Sequence, residues 1–279
     1  MYKGATLLIA LAMASAAPVA GHAQDWRTIT SLRQYNGEEE LHVSVRYGAG
    51  TLRITPGTET SLYRSTLRYD ADLFKPLTRY DAGQLEVGID GTKAVKGRNM
   101  RPARLDLTLG TAVPLNLDLK FGAGEAELDL GGLRVREIAL STGASHTSIR
   151  ATRANPASCE EARFEVGAAS FQAHQLGNLN CQEYSLTGGV GEVVLDFTGD
   201  LRTDASVNVE MGLGSLTLRI PRGLGLSVRR SGVLTAFDSE GLVKRGNVYE
   251  SVGYDRSPRK LNVDIDAALG AIRVQWVDK

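Results

Sequence analysis

Leu119-Lys120-Phe121-Gly122-Ala123-Gly124-Glu125-Ala126-Glu127-Leu128 sets alternating apolar residues on both sides of a Gly-Ala-Gly step. Comparable steps stand at Gly48-Ala49-Gly50, Gly143-Ala144-Ser145, Gly167-Ala168-Ala169, Gly189-Val190-Gly191, Gly212-Leu213-Gly214 and Ala268-Leu269-Gly270. The five central steps begin 21, 24, 22 and 23 residues apart. A period in this range marks a solenoid or array.

Aligning the chain on the first residue of each step tests the repeat. Three residues before that origin stand Val45, Leu119, Leu140, Phe164, Leu186, Val209 and Ile265. Four after it come Leu52, Ala126, Thr147, Phe171, Val193, Leu216 and Ile272, and six after it Ile54, Leu128, Ile149, Ala173, Leu195, Leu218 and Val274. Only Thr147 interrupts the apolar columns. Their spacing of two on each side of the hinge is that of strands, not of a helix. Each unit therefore reads as strand, corner, strand, and stacking the units at about 4.8 Å per rung buries a common core. The expected fold is all-β, a single β-solenoid domain over residues 24–279. Its glycines serve tight corners and close backbone approach. They do not form a phosphate cradle, which needs a helix after the glycines where here a strand follows.

The period fails twice, over about 58–104 and 222–260, and these are expected to be loop or hairpin insertions. Leu62–Tyr69 and Gln84–Ile89 read as strands, with a turn at Asp81-Ala82-Gly83. The basic residues Lys93, Lys96, Arg98, Arg101 and Arg104 read as a solvated loop, and Arg229-Arg230-Ser231-Gly232 as a basic turn.

Residues 1–23 read as a cleavable signal peptide: Lys3, an apolar stretch from Ala5 to Ala17, and a small-residue junction ending near Ala23. The apolar core is short of the ~20 residues a spanning helix needs. The expected location is the periplasm or the exterior, with no stable membrane anchor. The chain has 32 Lys plus Arg against 32 Asp plus Glu, an even balance that argues against nucleic acid as partner. Cys159 and Cys181 each lie eight residues before a hinge origin. Equivalent sites on adjacent rungs are about 4.8 Å apart, inside the Cα window of a disulfide. An oxidising compartment favours that bond.

Several phrases together resemble the toast-rack domain and the C-terminal domain of LiaF-type envelope-stress proteins, with a looser likeness to bacterial adhesin-like β-solenoids. They are Val113-Pro114-Leu115-Asn116-Leu117, Phe121 to Leu133, Leu195-Asp196-Phe197-Thr198-Gly199, and the closing Val248 to Ser251, Leu261 to Asp266 and Gly270 to Val274. The resemblance implies a β-solenoid that acts in the cell envelope without enzymatic activity, and it supplies no catalytic residues. LiaF-type proteins carry transmembrane helices ahead of this domain, whereas this chain shows only the signal, which weakens the link to a membrane kinase.

Solenoids also host polysaccharide-active enzymes, which need paired carboxylates on outward columns. Glu125, Glu127 and His146 form the best such constellation, and a charged, solvated face explains it as well. Tyr69, Tyr249 and Tyr254 are the aromatic surface candidates for glycan recognition. No cofactor or metal is expected: histidines occur singly, and no Gly-x-Ser-x-Gly elbow is present. The expected function is an exported binding or scaffold module of the bacterial envelope, with a link to envelope stress as the family likeness implies. Its partner would be an envelope protein, a second copy, or a glycan; the alternatives are a glycan-recognising adhesin or a polysaccharide-active enzyme.

Overall fold

The computed structural model describes residues 25–91, 102–232 and 234–278. The expected signal peptide and the basic run from Lys93 to Arg101 lie outside the described residues. Strands β1 (Trp26–Gln34), β2 (Leu41–Pro56), β3 (Ser61–Asp70), β4 (Phe74–Asp81), β5 (Gln84–Gly91) and β6 (Ala103–Leu109) come first. Then follow β7 (Pro114–Asp129), β8 (Arg134–Arg150), β9 (Cys159–His174), the short helix α1 (Leu176–Leu179), β10 (Cys181–Asp196) and β11 (Ala205–Pro221). The chain closes with β12 (Gly225–Ser231), β13 (Leu234–Asp238), β14 (Leu242–Arg245), β15 (Val248–Ser251) and β16 (Lys260–Val277).

The seven hinged strands stack in parallel in the order β2-β7-β8-β9-β10-β11-β16, forming a β-solenoid. Their register is the one the hinge alignment predicts. Leu52 lies beside Ala126, Ala126 beside Thr147, Thr147 beside Phe171, and so on to Ile272. All of that column is buried. Thr147 fits there because its hydroxyl lies 3.0 Å from Ser145 Oγ, so the one polar intruder is satisfied.

One expectation is corrected in detail. Each unit is a single strand running through its hinge, not two strands about a break, because ladder pairing continues across the corner from Gly50–Gly124 to Gly214–Gly270. The corner imposes glycine in two ways. A Cβ at Gly122 would lie 2.2 Å from the carbonyl oxygen of Gly48 on the preceding rung. At Gly214 the backbone also takes φ 149°, a conformation that side chains disfavour. Between β8 and β9 the pairing skips the corner, where Ser145 and Ala169 replace glycine.

The third wall of each coil is built from connecting segments. Leu130 N–H donates to Arg150 O at 2.8 Å, Ala151 N–H to His174 O at 3.1 Å and Phe197 N–H to Arg219 O at 2.9 Å, so these segments also stack. Buried Asn155 donates through Nδ2 to Val135 O and Leu179 O at 2.7 and 3.0 Å. Asn178 donates to Ala151 O and Asn180 to Asp200 O, continuing the stitch between rungs. The Cys159–Cys181 disulfide joins the starts of β9 and β10 beside this wall, across a Cα–Cα distance of 4.2 Å.

The aperiodic segments close the ends. β5 and β6 pair in parallel with the two halves of β2, as a split rung, and antiparallel β4, β3 and β1 lie beyond them. At the other end β12 and β13 flank the two halves of β16, with antiparallel β15 and β14 outside β12. Arg229 to Ser231, expected as a turn, are instead the end of β12, and Gly232 carries the corner between the two half-strands. The first and last hinged strands thus sit one rung inside each end.

Candidate binding surface

Outward positions six residues before the hinge origin form a continuous row: His42, Asn116, Glu137, Glu161, Glu183, Ser206 and Asn262. Three glutamates follow one another on β8, β9 and β10. The β4–β5 hairpin extends the same sheet past β2 and brings Arg79, Asp81, Gln84 and Glu86 alongside. The part of the row from His42 to Glu161, with these hairpin residues, lines a polar groove of about 550 Å³, whose wall also includes Asp118 and Arg163.

Some charges of the row are already partnered. Arg163 Nη2 donates to Glu161 Oε1 at 2.7 Å, while Asn208 Nδ2 donates to Glu183 Oε1 at 3.1 Å. At the groove's end His42 Nε2 lies 2.9 Å from Glu40 Oε1, and Arg136 Nη1 lies 3.8 Å from Glu40 Oε2. The hydrogen bond to His42, then its charge, and the charge of Arg136 hold the Glu40 carboxyl below its ordinary pKa. The neighbouring Glu38 is fixed more fully: burial raises its pKa, but N–H groups of Asn36 and of Glu38 itself, with Arg33 and Tyr80, more than reverse this. Among the described residues, Glu86 and Glu137 have no ion-pair partner, so the groove keeps acidic positions open to a ligand.

The candidate constellation from the sequence is only partly assembled. Glu125 and His146 are exposed neighbours on β7 and β8. Glu127 is taken by Arg53, whose Nε and Nη2 donate to the same carboxylate oxygen at 2.9 and 2.5 Å. That two-pronged contact gives Glu127 a structural partner rather than a free role in proton transfer. Tyr69 is not a surface residue. It is 4% exposed, because β3 turns Leu67 and Tyr69 inward with the same alternation that exposes Arg64 and Arg68. Tyr249 is half-buried, packed edge-on against Phe237 at 4.9 Å, with Lys244 Nζ 5.8 Å from its ring centre. Tyr254 donates its hydroxyl to Asn262 Oδ1 at 2.7 Å. Among the described residues no His, Cys, Asp or Glu cluster is arranged to hold a metal, and no helix is long and apolar enough to cross a membrane.

Residues 21–174, more than half of the chain, match the family model described as the N-terminal domain of toast_rack, DUF2154. The chain belongs to the toast-rack family. This toast-rack chain also resembles solved structures. A candidate cell adhesion protein from Clostridium sporogenes aligns with 20% identity and TM-score 0.46, covering 90% of this chain and 100% of that one. A candidate adhesin from Bacteroides fragilis aligns with 14% identity and TM-score 0.41, covering 89% and 97%. A candidate lipid binding protein from Parabacteroides distasonis aligns with 12% identity and TM-score 0.32, covering 89% and 96%. No curated protein matches the chain.

The groove row stands in the sequence at a fixed offset from the core columns, but a polar outward column lacks the apolar signature that makes a column visible. Arg79, Asp81 and Glu86 carry no such signal at all, because the antiparallel hairpin that delivers them stands outside the period.

Proposed function

We propose that this toast-rack protein is an exported, non-catalytic binding module of the cell envelope, recognising a cationic, extended segment of another envelope protein in its acidic groove. The observation that carries this reading is the ladder of Glu137, Glu161 and Glu183 on three successive rungs, whose first two members line the groove wall together with Glu86 of the hairpin. Carboxylates repeated at about 4.8 Å face a partner as a line of negative charge, which favours an extended chain bearing Lys or Arg. The rigid stack holds that line without induced ordering, and a link to envelope stress would run through the protein so bound.

A glycan ligand is less well served. The second polar groove, about 630 Å³ around Tyr249, Lys244, Arg229 and Asp264, offers an aromatic ring, but Phe237 and Lys244 already pack against it.

In-cell photocrosslinking tests the proposal, with a photoreactive residue replacing Gln84 in one variant and Tyr249 in another. Capture of one envelope protein from position 84, lost when Glu86 and Glu137 are changed to Lys, supports it. Capture confined to position 249, or adducts unaffected by the charge reversal, would sink it.

A further inference from the structure

The outer corner of the solenoid carries a second pattern, independent of the groove and of its proposed partner. We propose that two copies of this chain associate antiparallel along the hinge corner, about a two-fold axis at β9. β9 is the fourth of the seven hinged strands. A dyad lying in the interface, perpendicular to the stacking direction, keeps each column facing itself and reverses the order of the rungs.

That operation matches the exposed side chains rung by rung. Two residues before the origin it sets Arg46 opposite Asp266 of the second copy, Lys120 opposite Glu210, and Ser141 opposite Thr187. One residue after the origin it sets Ala49 opposite Leu269, Ala123 opposite Leu213, and Ala144 opposite Val190. Every large side chain meets a small one and every charge its opposite. Only Glu165, at the axis, meets a like group.

The large members protrude in a way a lone molecule does not explain. Val190, Leu213 and Leu269 are 52%, 44% and 44% exposed on adjacent rungs. Beside the ridge column a trough of about 920 Å³ runs over Gly48, Gly122, Gly143, Gly167 and Gly189, bordered by Arg46 and Lys120. The ridge of one copy meets Ala49, Ala123 and Ala144 of the other, whose single methyl groups leave room for it. Among the described residues Arg46, Glu210 and Asp266 take no ion-pair partner within the chain, and Lys120 reaches only Asp118 at 3.8 Å. Seven rungs span about 29 Å, and the five residues across the corner about 15 Å, so each copy buries roughly 500 Å². A total near 1,000 Å² is the low end for a specific interface, which sets the expected dimer in the micromolar range.

Sedimentation equilibrium of the purified chain tests the proposal, with circular dichroism confirming that each variant is folded. The expected result is a reversible dimer abolished by Leu213→Asp, with Leu269→Asp as a second probe of the same ridge. Lys120→Glu and Glu210→Lys should each weaken association roughly tenfold, and the double variant should recover it because the swapped charges again face each other. Glu165→Gln should tighten the dimer. A chain monomeric up to about 0.5 mM, a dimer indifferent to both ridge variants, or a double variant no better than its parents would overturn the proposal.

Discussion

Single residues decide whether a rung can lie on its neighbour. A methyl at Gly122 would sit 2.2 Å from Gly48 O, a contact with backbone that no side-chain movement relieves. We expect Gly122→Ala to cost about 2–4 kcal/mol in urea unfolding. Gly223, with φ 93° and open space around its Cβ position, is the control. Its Ala variant meets only the left-handed backbone cost of about 1 kcal/mol. Glu38 gives a pH-dependent test. Its carboxyl accepts from Asn36 N–H at 2.7 Å and from Arg33 Nε at 3.0 Å, and its folded pKa is lowered overall. A lowered folded pKa contributes stability above the ordinary carboxylate value that is lost as pH falls through the folded one. Glu38→Gln should therefore be less stable than the parent at neutral pH, with the gap closing in acid unfolding titrations.

At the level of elements, the third wall holds where regular strands are absent. α1 has only four residues and no side-chain cap, so its neighbours fix it. Asn155 bridges that region to β8 through two carbonyls, and its Oδ1 accepts from Ala157 N–H at 2.9 Å. Asn155→Ala leaves two buried backbone carbonyls and the half-buried N–H of Ala157 without this partner, for an expected loss of about 2–4 kcal/mol by denaturant unfolding. The disulfide nearby closes a loop of separation 22. Chain-entropy arguments give it about 3 kcal/mol, so reduction should lower the unfolding midpoint while leaving far-UV circular dichroism strand-like. The strands themselves are legible from side-chain period alone, because one face of every hinged strand must enter the same core. The corner was legible too, though its continuity was not: whether a ladder breaks or bends at Gly124 depends on the hydrogen bonds of Gly50, 74 residues earlier in the chain.

In the whole molecule each rung touches only its two neighbours, so stability is distributed along one dimension. Hydrogen exchange should be slowest in β9 and β10, which lie mid-stack and are joined by the disulfide, and fastest in β1, β4 and β14 at the outer edges. Uniform protection across the stack would contradict that picture. The residue pattern was enough to specify the strand type, the register of seven rungs and the pairing of Cys159 with Cys181, because all three follow from a repeat that each turn must obey to share one core. It also held the polar row from His42 to Asn262, whose first four members line the groove, at a fixed offset from the same origin. What breaks the period was settled by packing in three dimensions. Nothing local in Leu62 to Tyr69 says that Tyr69 turns inward, since strand alternation leaves two faces and the choice depends on which face the pairing with β6 turns to the core. Nor could spacing show that β5 with β6, and β12 with β13, return as split rungs outside the first and last hinged strands. Those placements rest on long-range pairing, which satisfies the otherwise open backbone of β2 and β16 and brings Arg79, Asp81 and Glu86 to the groove.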